Sequence, residues 1–457
     1  MEVEELNGSA QTEPSSAELP STLEASSSSS DNRESSPETT STLDEAVRHV
    51  SSIQEVQLSP DGTTIFTTSY SRTFSAYVID ADILSTREPR PLTPYASFSS
   101  LDPIWAFAAH PSFSLEDPST TLVLVSRPNS YIKLHNALWD VSNKSNPGNA
   151  PSTTPTPIDI STPIANYRLV NHLREEVLAP SSLIFNNSGT HFLAGHKDTI
   201  SVFDTTHTYE PVLTIRTSPQ AHNALRLNGA AGYKGVVTSL AIEPTSGMLA
   251  AGTRARAVGL HDAEGSGEQI THLVLPTSTS SGQLRWGDPR AEGPRPGAGV
   301  TQLKWSPCGK YLYIAERMSD HLFIYDVRNF SYCLGYCVGR QAFSNQKMGF
   351  DVWGRGEGGL EVWAGGTDGR MRIWENAHFQ EGEVRPVEVL ETGMGSLAGT
   401  LVHRTGSIAI AASGHQEIGV GERREMVGCG GVRPRFKERG CLSIFGSGAA
   451  EETEGEP

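Results

Sequence analysis

Cysteine is scarce. The five residues, at 308, 333, 337, 429 and 441, are an odd number and include no Cys-x-x-Cys pair. This argues against a disulfide framework or a zinc site, and it fits a reducing compartment. In that setting the Asn-x-Ser triplets beginning at Asn143, Asn186 and Asn329 carry no meaning. Long apolar runs are also missing. None reaches the roughly 18 residues of a membrane span, and the N-terminus has no hydrophobic signal core, so no membrane partner is expected. There is no phosphate-binding loop, no Gly-x-Ser-x-Gly and no His-Glu-x-x-His, and the 14 histidines are scattered without metal-ligand spacing. His110, His261 and His403 sit at strand ends or turns, where a hydrogen-bonded or solvated imidazole is expected. Gly265-x-Gly267 stands in a loop, not between strand and helix, so it is no nucleotide fingerprint. Cys333 and Cys337 fall on an expected outer strand, where a thiol packs. The expectation is a chain that is not an enzyme, with no catalytic residue, metal, cofactor or small-molecule substrate.

What the chain does have is a repeat. From Val300 to Arg328 it reads as three short strands joined by tight turns. Leu303 and Trp305 alternate with polar neighbours. Ser306-Pro307-Cys308-Gly309 is a turn, because Pro presets φ and Gly accepts φ > 0. Leu312 and Ile314 continue in a second strand, and a third ends at Tyr325-Asp326. Such a unit cannot bury its faces alone and must stack on copies of itself. The copies begin at Ile53, Ile104, Ser181, Val236, Met348 and Leu397. Seven units predict an all-β fold, a seven-bladed WD40-type β-propeller closed into one ring, which removes exposed sheet edges. Three insertions stretch the repeat: Ser142 to Pro163, Ser266 to Ala298 and Gln416 to Glu438. The last delays the third strand of blade seven to Cys441–Phe445. Trp305, Trp353, Trp363 and Trp374 alternate with polar residues and are expected to fill gaps between blades.

Acidic residues outnumber basic ones, 52 to 36, for a net charge of −16. Residues 1–50 carry −9 of this and 447–457 carry −4, leaving about −3 on 51–446. The expected organisation is a disordered, acidic, Ser-rich tail over 1–42, the propeller over 43–446 and an acidic tail over 447–457. Ser36-Pro37 is a candidate phosphosite in the first tail.

The cations fall in a pattern. In a WD repeat the turn after the first strand lies on one face of the disc, and the turn after the second strand lies on the other. The first set is bland. The second holds Arg72, Arg127, Lys197, Arg254, Arg256 and Arg317, with Arg370 just past the turn of blade six. Blade seven adds Arg423, Arg424, Arg433, Arg435, Lys437 and Arg439 within its insertion. A near-neutral domain with its cations on one face has the footprint of a phosphate binder, and reversing Arg256 and Arg317 to Glu is expected to weaken RNA binding without loss of stability. The stretch from Gly339 to Asp351, with Arg340, Gln346 and Lys347, is a further candidate. So is Asn171-His172-Leu173-Arg174-Glu175-Glu176 before blade three.

These stretches resemble a known family. Asn171-His172-Leu173, Gly259-Leu260, and Gly339-Arg340 followed by Asn345-Gln346-Lys347 and Phe350-Asp351 are similar to the telomerase Cajal body protein family, which includes fungal relatives linked to pre-mRNA splicing. The likeness runs over roughly 50 to 446. It departs at His135-Asn136, where the family tends to have Trp-Asp, in a short N-terminal tail, and in lacking a proline-rich C-terminal tail. The resemblance implies a nuclear, non-enzymatic propeller. Such a protein would bind small nuclear or Cajal-body RNA, including telomerase RNA, and assist ribonucleoprotein assembly, localisation or splicing alongside ribonucleoprotein or splicing proteins. The competing class is a pure protein scaffold, such as a cullin–RING ubiquitin ligase substrate receptor. Tyr325-Asp326-Val327-Arg328 faintly matches the WDxR element of such receptors, although Asp-x-Arg after a third strand is often only a local salt bridge.

Overall fold

Turn chemistry sets the blade boundaries. The computed structural model describes residues 53–83, 92–142, 156–171, 173–218, 232–276, 296–356, 358–418 and 436–446. The expectations for 1–42 and 447–457 fall outside the described residues. The rest forms seven antiparallel blades and one two-stranded ribbon. The inner strands, in order, are Ile53–Leu58, Ala106–Ala109, Ser182–Phe185, Val237–Ile242, Val300–Trp305, Phe350–Gly356 and Leu397–Val402. Gly62, Gly189, Gly247, Gly309 and Gly406 close the turns after five of them, each with positive φ. These turns also interlock. The ring of His403 packs over Gly62, His110 over Gly189 and Trp353 over Gly406, so a Cβ at any of those glycines would collide with the neighbouring blade.

Each blade is buried on both faces, so its second strand shows no clean alternation. Thr64–Ser69 and Leu249–Thr253 are buried at every position. The apolar side chains form one cluster per blade interface, and each interface joins consecutive blades. Blade seven meets blade one through Ile53, Val56, Ile65, Leu401 and Ile410. Blade seven is built from C-terminal strands, and its third strand, Phe436–Gly446, pairs along Ile408–Ile418 as the delayed strand was expected to. Trp305 and Trp374 are buried, and their indole N–H groups donate across interfaces to Ala241 O and Val338 O, both at 3.1 Å. Trp353 and Trp363 are half-buried.

Polar side chains stitch the inner strands around the axis. Ser182 Oγ donates to Val237 O (2.9 Å) and Thr238 Oγ1 to Val300 O (2.6 Å). Gln57 Nε2 donates to Phe107 O (3.0 Å). Gln302 reads both backbone groups of Phe350, donating to its O (3.0 Å) and accepting from its N (2.9 Å). Asp351 contacts Lys304 of blade five and accepts from Val402 N of blade seven (3.0 Å).

Strands also form within stretches read from the sequence as insertions, including Gln269–Val274, the outer strand of blade four. The insertion after Ser142 is not wholly outside the blades: Ile158–Asp159 adds a parallel fifth strand to the outer strand Ala96–Ser99 of blade one. Gly382–Val384 does the same on Cys333–Cys337 of blade five. The departure at His135-Asn136 keeps both side chains packed in the blade. His135 is fully buried, stacks on Phe98 at 4.9 Å and bonds Ile160 O (2.9 Å). Asn136 Oδ1 accepts from the backbone N of Leu138 and Trp139, both at 3.0 Å.

Two outcomes follow from this packing. Trp374→Ala removes a fully buried ring and its hydrogen bond and should cost roughly 3–5 kcal/mol, read as a clear fall in melting temperature. Trp363→Ala, half-buried, should cost less. The second concerns acid. Burial pushes His135 and His261 down to about 4, so the folded chain holds them neutral while the unfolded chain protonates near pH 6.5. Their contribution is therefore complete above pH 6.5 and is lost as pH falls toward 4. Melting temperature should drop from pH 7 to pH 5, and His261→Gln, which keeps a partner for Tyr233 Oη (2.7 Å from the imidazole), should flatten that slope.

Candidate nucleic-acid interface

The turns between second and third strands lie on the face where the outer strand of one blade crosses to the inner strand of the next. Tight turns there require left-handed residues. Arg72 (φ 66°) and Arg256 (φ 64°) adopt that conformation, which glycine or asparagine reaches at lower cost. The side chain at such a position therefore has to be justified by what it touches.

The fates of the candidate cations diverge. Arg256 is held by Glu316 through Nε–Oε1 (2.6 Å) and Nη2–Oε2 (3.0 Å), and it also donates to Pro276 O (3.0 Å). The Glu316 side chain is fully buried and that of Arg256 is 14% exposed, so this pair locks blade four to blade five. Arg340 is 2% exposed and donates to Gly365 O and Met348 O, both at 2.9 Å. Gln346 donates to Gly414 O, and Lys347 pairs with Glu55 (2.7 Å), carrying the connector across to blades seven and one. Arg72 donates to Leu101 O, and Arg127 donates to Ser100 Oγ (3.0 Å). Arg370 pairs with Glu391 (2.7 Å). Lys437 lies on the third strand of blade seven, in register with Glu417. Arg423, Arg424, Arg433 and Arg435 fall outside the described residues.

Three cations remain around one cavity. Lys197 and Arg254 are exposed at their turns and make no ion pair among the described residues. Arg317 donates to Asn345 O (2.6 Å). These three, with Lys347, line a cavity of about 530 Å³ at the mouth of the axial channel. Burial pushes the Arg317 guanidinium down, and the like charge of Arg254 beside it adds to the fall. Burial also holds His196, on the same wall, down at about 4, hence neutral. Glu55, already paired with Lys347, is the acid on the wall.

Sequence reading missed Trp105. Its neighbours Ile104 and Ala106 are buried, at 2% and 6% exposed, while Trp105 is 47% exposed and lines the cavity. The signal was present, because alternation puts Trp105 on the face opposite two core residues. Within the Asn171–Glu176 stretch, His172 falls outside the described residues; Val170–Asn171 pairs with Glu176–Val177, and Leu173 is 96% exposed. Gly259, part of the family likeness, lies against the Tyr233 ring, where any Cβ would collide. Asp326 and Arg328 form a local bidentate pair (2.9 and 2.5 Å), as the bland reading of that segment expects. Cys337 is buried and Cys333 is pushed up to about 11 by burial, so both thiols pack. Among the described residues no cluster could hold a metal, and no helix is long and apolar enough to cross a membrane.

Comparison with known proteins bears out the family resemblance. The chain is 27% identical over 329 residues to Guanine nucleotide-binding protein negative regulator 1 of Schizosaccharomyces pombe, covering 71% of this chain and 70% of that protein. It is 22% identical over 362 residues to Telomerase Cajal body protein 1 of Mus musculus, covering 78% of this chain and 58% of the relative. With the Homo sapiens protein of the same name it shares 24% over 253 residues, which is 55% of this chain and 40% of that one. No protein-family model matches.

The buried pair corrects one expectation: Arg256 cannot be reversed without loss of stability. Arg256→Glu would face Glu316 with a second acid in a buried site and should cost about 3–5 kcal/mol. Arg254→Glu, at an exposed turn, should leave the melting temperature within a degree or two. Thermal melts of both variants check this.

Proposed function

We propose that this chain is a non-enzymatic nuclear scaffold that binds small nuclear or Cajal-body RNA on one face and assists ribonucleoprotein assembly, localisation or splicing. The observation that carries the reading is the set of Lys197, Arg254 and Arg317 around an open cavity in a chain whose net charge is −16. In a protein that repels polyanions overall, cations grouped without acid partners create a local positive potential. Similarity to Telomerase Cajal body protein 1, a relative named for a ribonucleoprotein and a nuclear body, supports the same reading and the nuclear location. A second reading is a protein scaffold acting on a guanine nucleotide-binding protein, which the name of the fission yeast relative favours.

Salt dependence separates the two. Each phosphate contact with a single strand lowers log affinity by about 0.7 per unit of log salt, so three contacts give a slope of about −2. Filter binding to a panel of small nuclear RNA stem-loops across a salt series should show at least one loop bound with such a slope. Lys197→Glu with Arg254→Glu should weaken that loop tenfold or more, about 1.4 kcal/mol. No binding by wild type to any loop would overturn the RNA reading and leave the protein-scaffold one.

A further inference from the structure

Resting on the RNA reading, we infer that the channel mouth is a subsite for one unpaired nucleotide, its base stacked on Trp105 and its phosphate held by Lys197, Arg254 and Arg317. Four observations converge on it. The cavity of about 530 Å³ lies within the range of small-ligand pockets and is bounded by the starts of inner strands. A duplex end is too wide for such a space, whereas a single everted nucleotide enters it. Trp105 lines the cavity and is 47% exposed, although the residues on either side are buried. The Trp105 backbone is anchored, its N donating to Ser126 O (3.0 Å), so a half-exposed indole leaves a fixed strand start and offers a face on which a base can stack. The Arg254 backbone lies against Gly299, whose carbonyl accepts from Arg317 N (2.9 Å), so both cations flank one stretch of the wall, and the acid lining that cavity among the described residues, Glu55, is already paired with Lys347. Two like charges at one wall are unfavourable alone and favourable once an anion sits between them. Finally, the wall carries Gln54, whose amide can meet the edge of a base. An acidic peptide would satisfy the cations but would leave the indole without a stacking partner, so the nucleotide is the better fit.

The consequence is a division of labour that charge alone does not give. Trp105 contributes affinity that does not depend on salt, and the three cations contribute the part that does. The full chain is titrated with a short single-stranded RNA drawn from a bound loop, followed by anisotropy over a salt series. The same RNA is then tested with an abasic site at each position in turn. Trp105→Ala should weaken binding roughly tenfold with an unchanged salt slope, and Trp105→Phe should recover most of the loss. Arg254→Gln should reduce the slope by about 0.7. One abasic position should weaken wild type by about the same factor as Trp105→Ala, and should weaken Trp105→Ala no further, which identifies the base that meets the ring. Melts of both Trp105 variants check that the fold persists. If wild type binds RNA with a salt slope but Trp105→Ala binds equally well, or no abasic position is non-additive with it, the subsite is overturned while RNA binding stands. If polyglutamate competes as well as the RNA does, the site is an anion or peptide site and the base subsite is likewise overturned. If wild type binds no RNA at all, both readings fail together.

Discussion

Every blade in this protein depends on its two neighbours for burial. A blade is a small twisted sheet with apolar residues on both faces, and alone it would leave both in water. The ring resolves this by placing one apolar cluster at each interface. Because the clusters are separate, the described residues form no central hydrophobic core that would fix the blades against one another. Position around the axis is set instead by hydrogen bonds between inner strands, such as Gln302 to the Phe350 backbone and Ser182 to Val237.

That stitching determines what is left for a ligand. Polar groups near the axis are mostly committed to it. Asp351 joins Lys304 and the Val402 backbone, Glu55 takes Lys347, and Glu316 takes Arg256. A buried ion pair of this kind adds little net stability over an apolar substitute, but breaking one partner strands the other charge. Lys197 and Arg254, exposed at their turns, make no ion pair with an acid among the described residues. They meet Arg317 and Trp105 at the channel mouth, where walls of low dielectric strengthen their field. The proposed interface is thus what remains after the blades have been joined.

Departures from the repeat also make physical sense in this frame. His135 replaces a tryptophan-sized anchor by stacking on Phe98 and bonding Ile160, whose segment arrives with the parallel strand Ile158–Asp159. A substitution inside one blade is thus met by an insertion packed on its neighbour, which supplies a partner for one of the two imidazole nitrogens.

The number of blades and their turns were legible in the sequence, because they follow from local rules. Pro and Gly mark turns, strands alternate, and successive turns fall on opposite faces. The delayed third strand of blade seven was legible for the same reason, since its alternation survives the long insertion. Which cations are available was not legible. Arg256 meets an acid 60 positions away and Lys347 one 292 positions away, and no local pattern reports such partners. Trp105 showed its outward side in the alternation, but only the assembled ring brings it to the same cavity as residues from the turns of blades three, four and five. Turn geometry is encoded by neighbours in the chain, whereas charge compensation and cavity lining are encoded by neighbours in space, and the closure of the ring decides those.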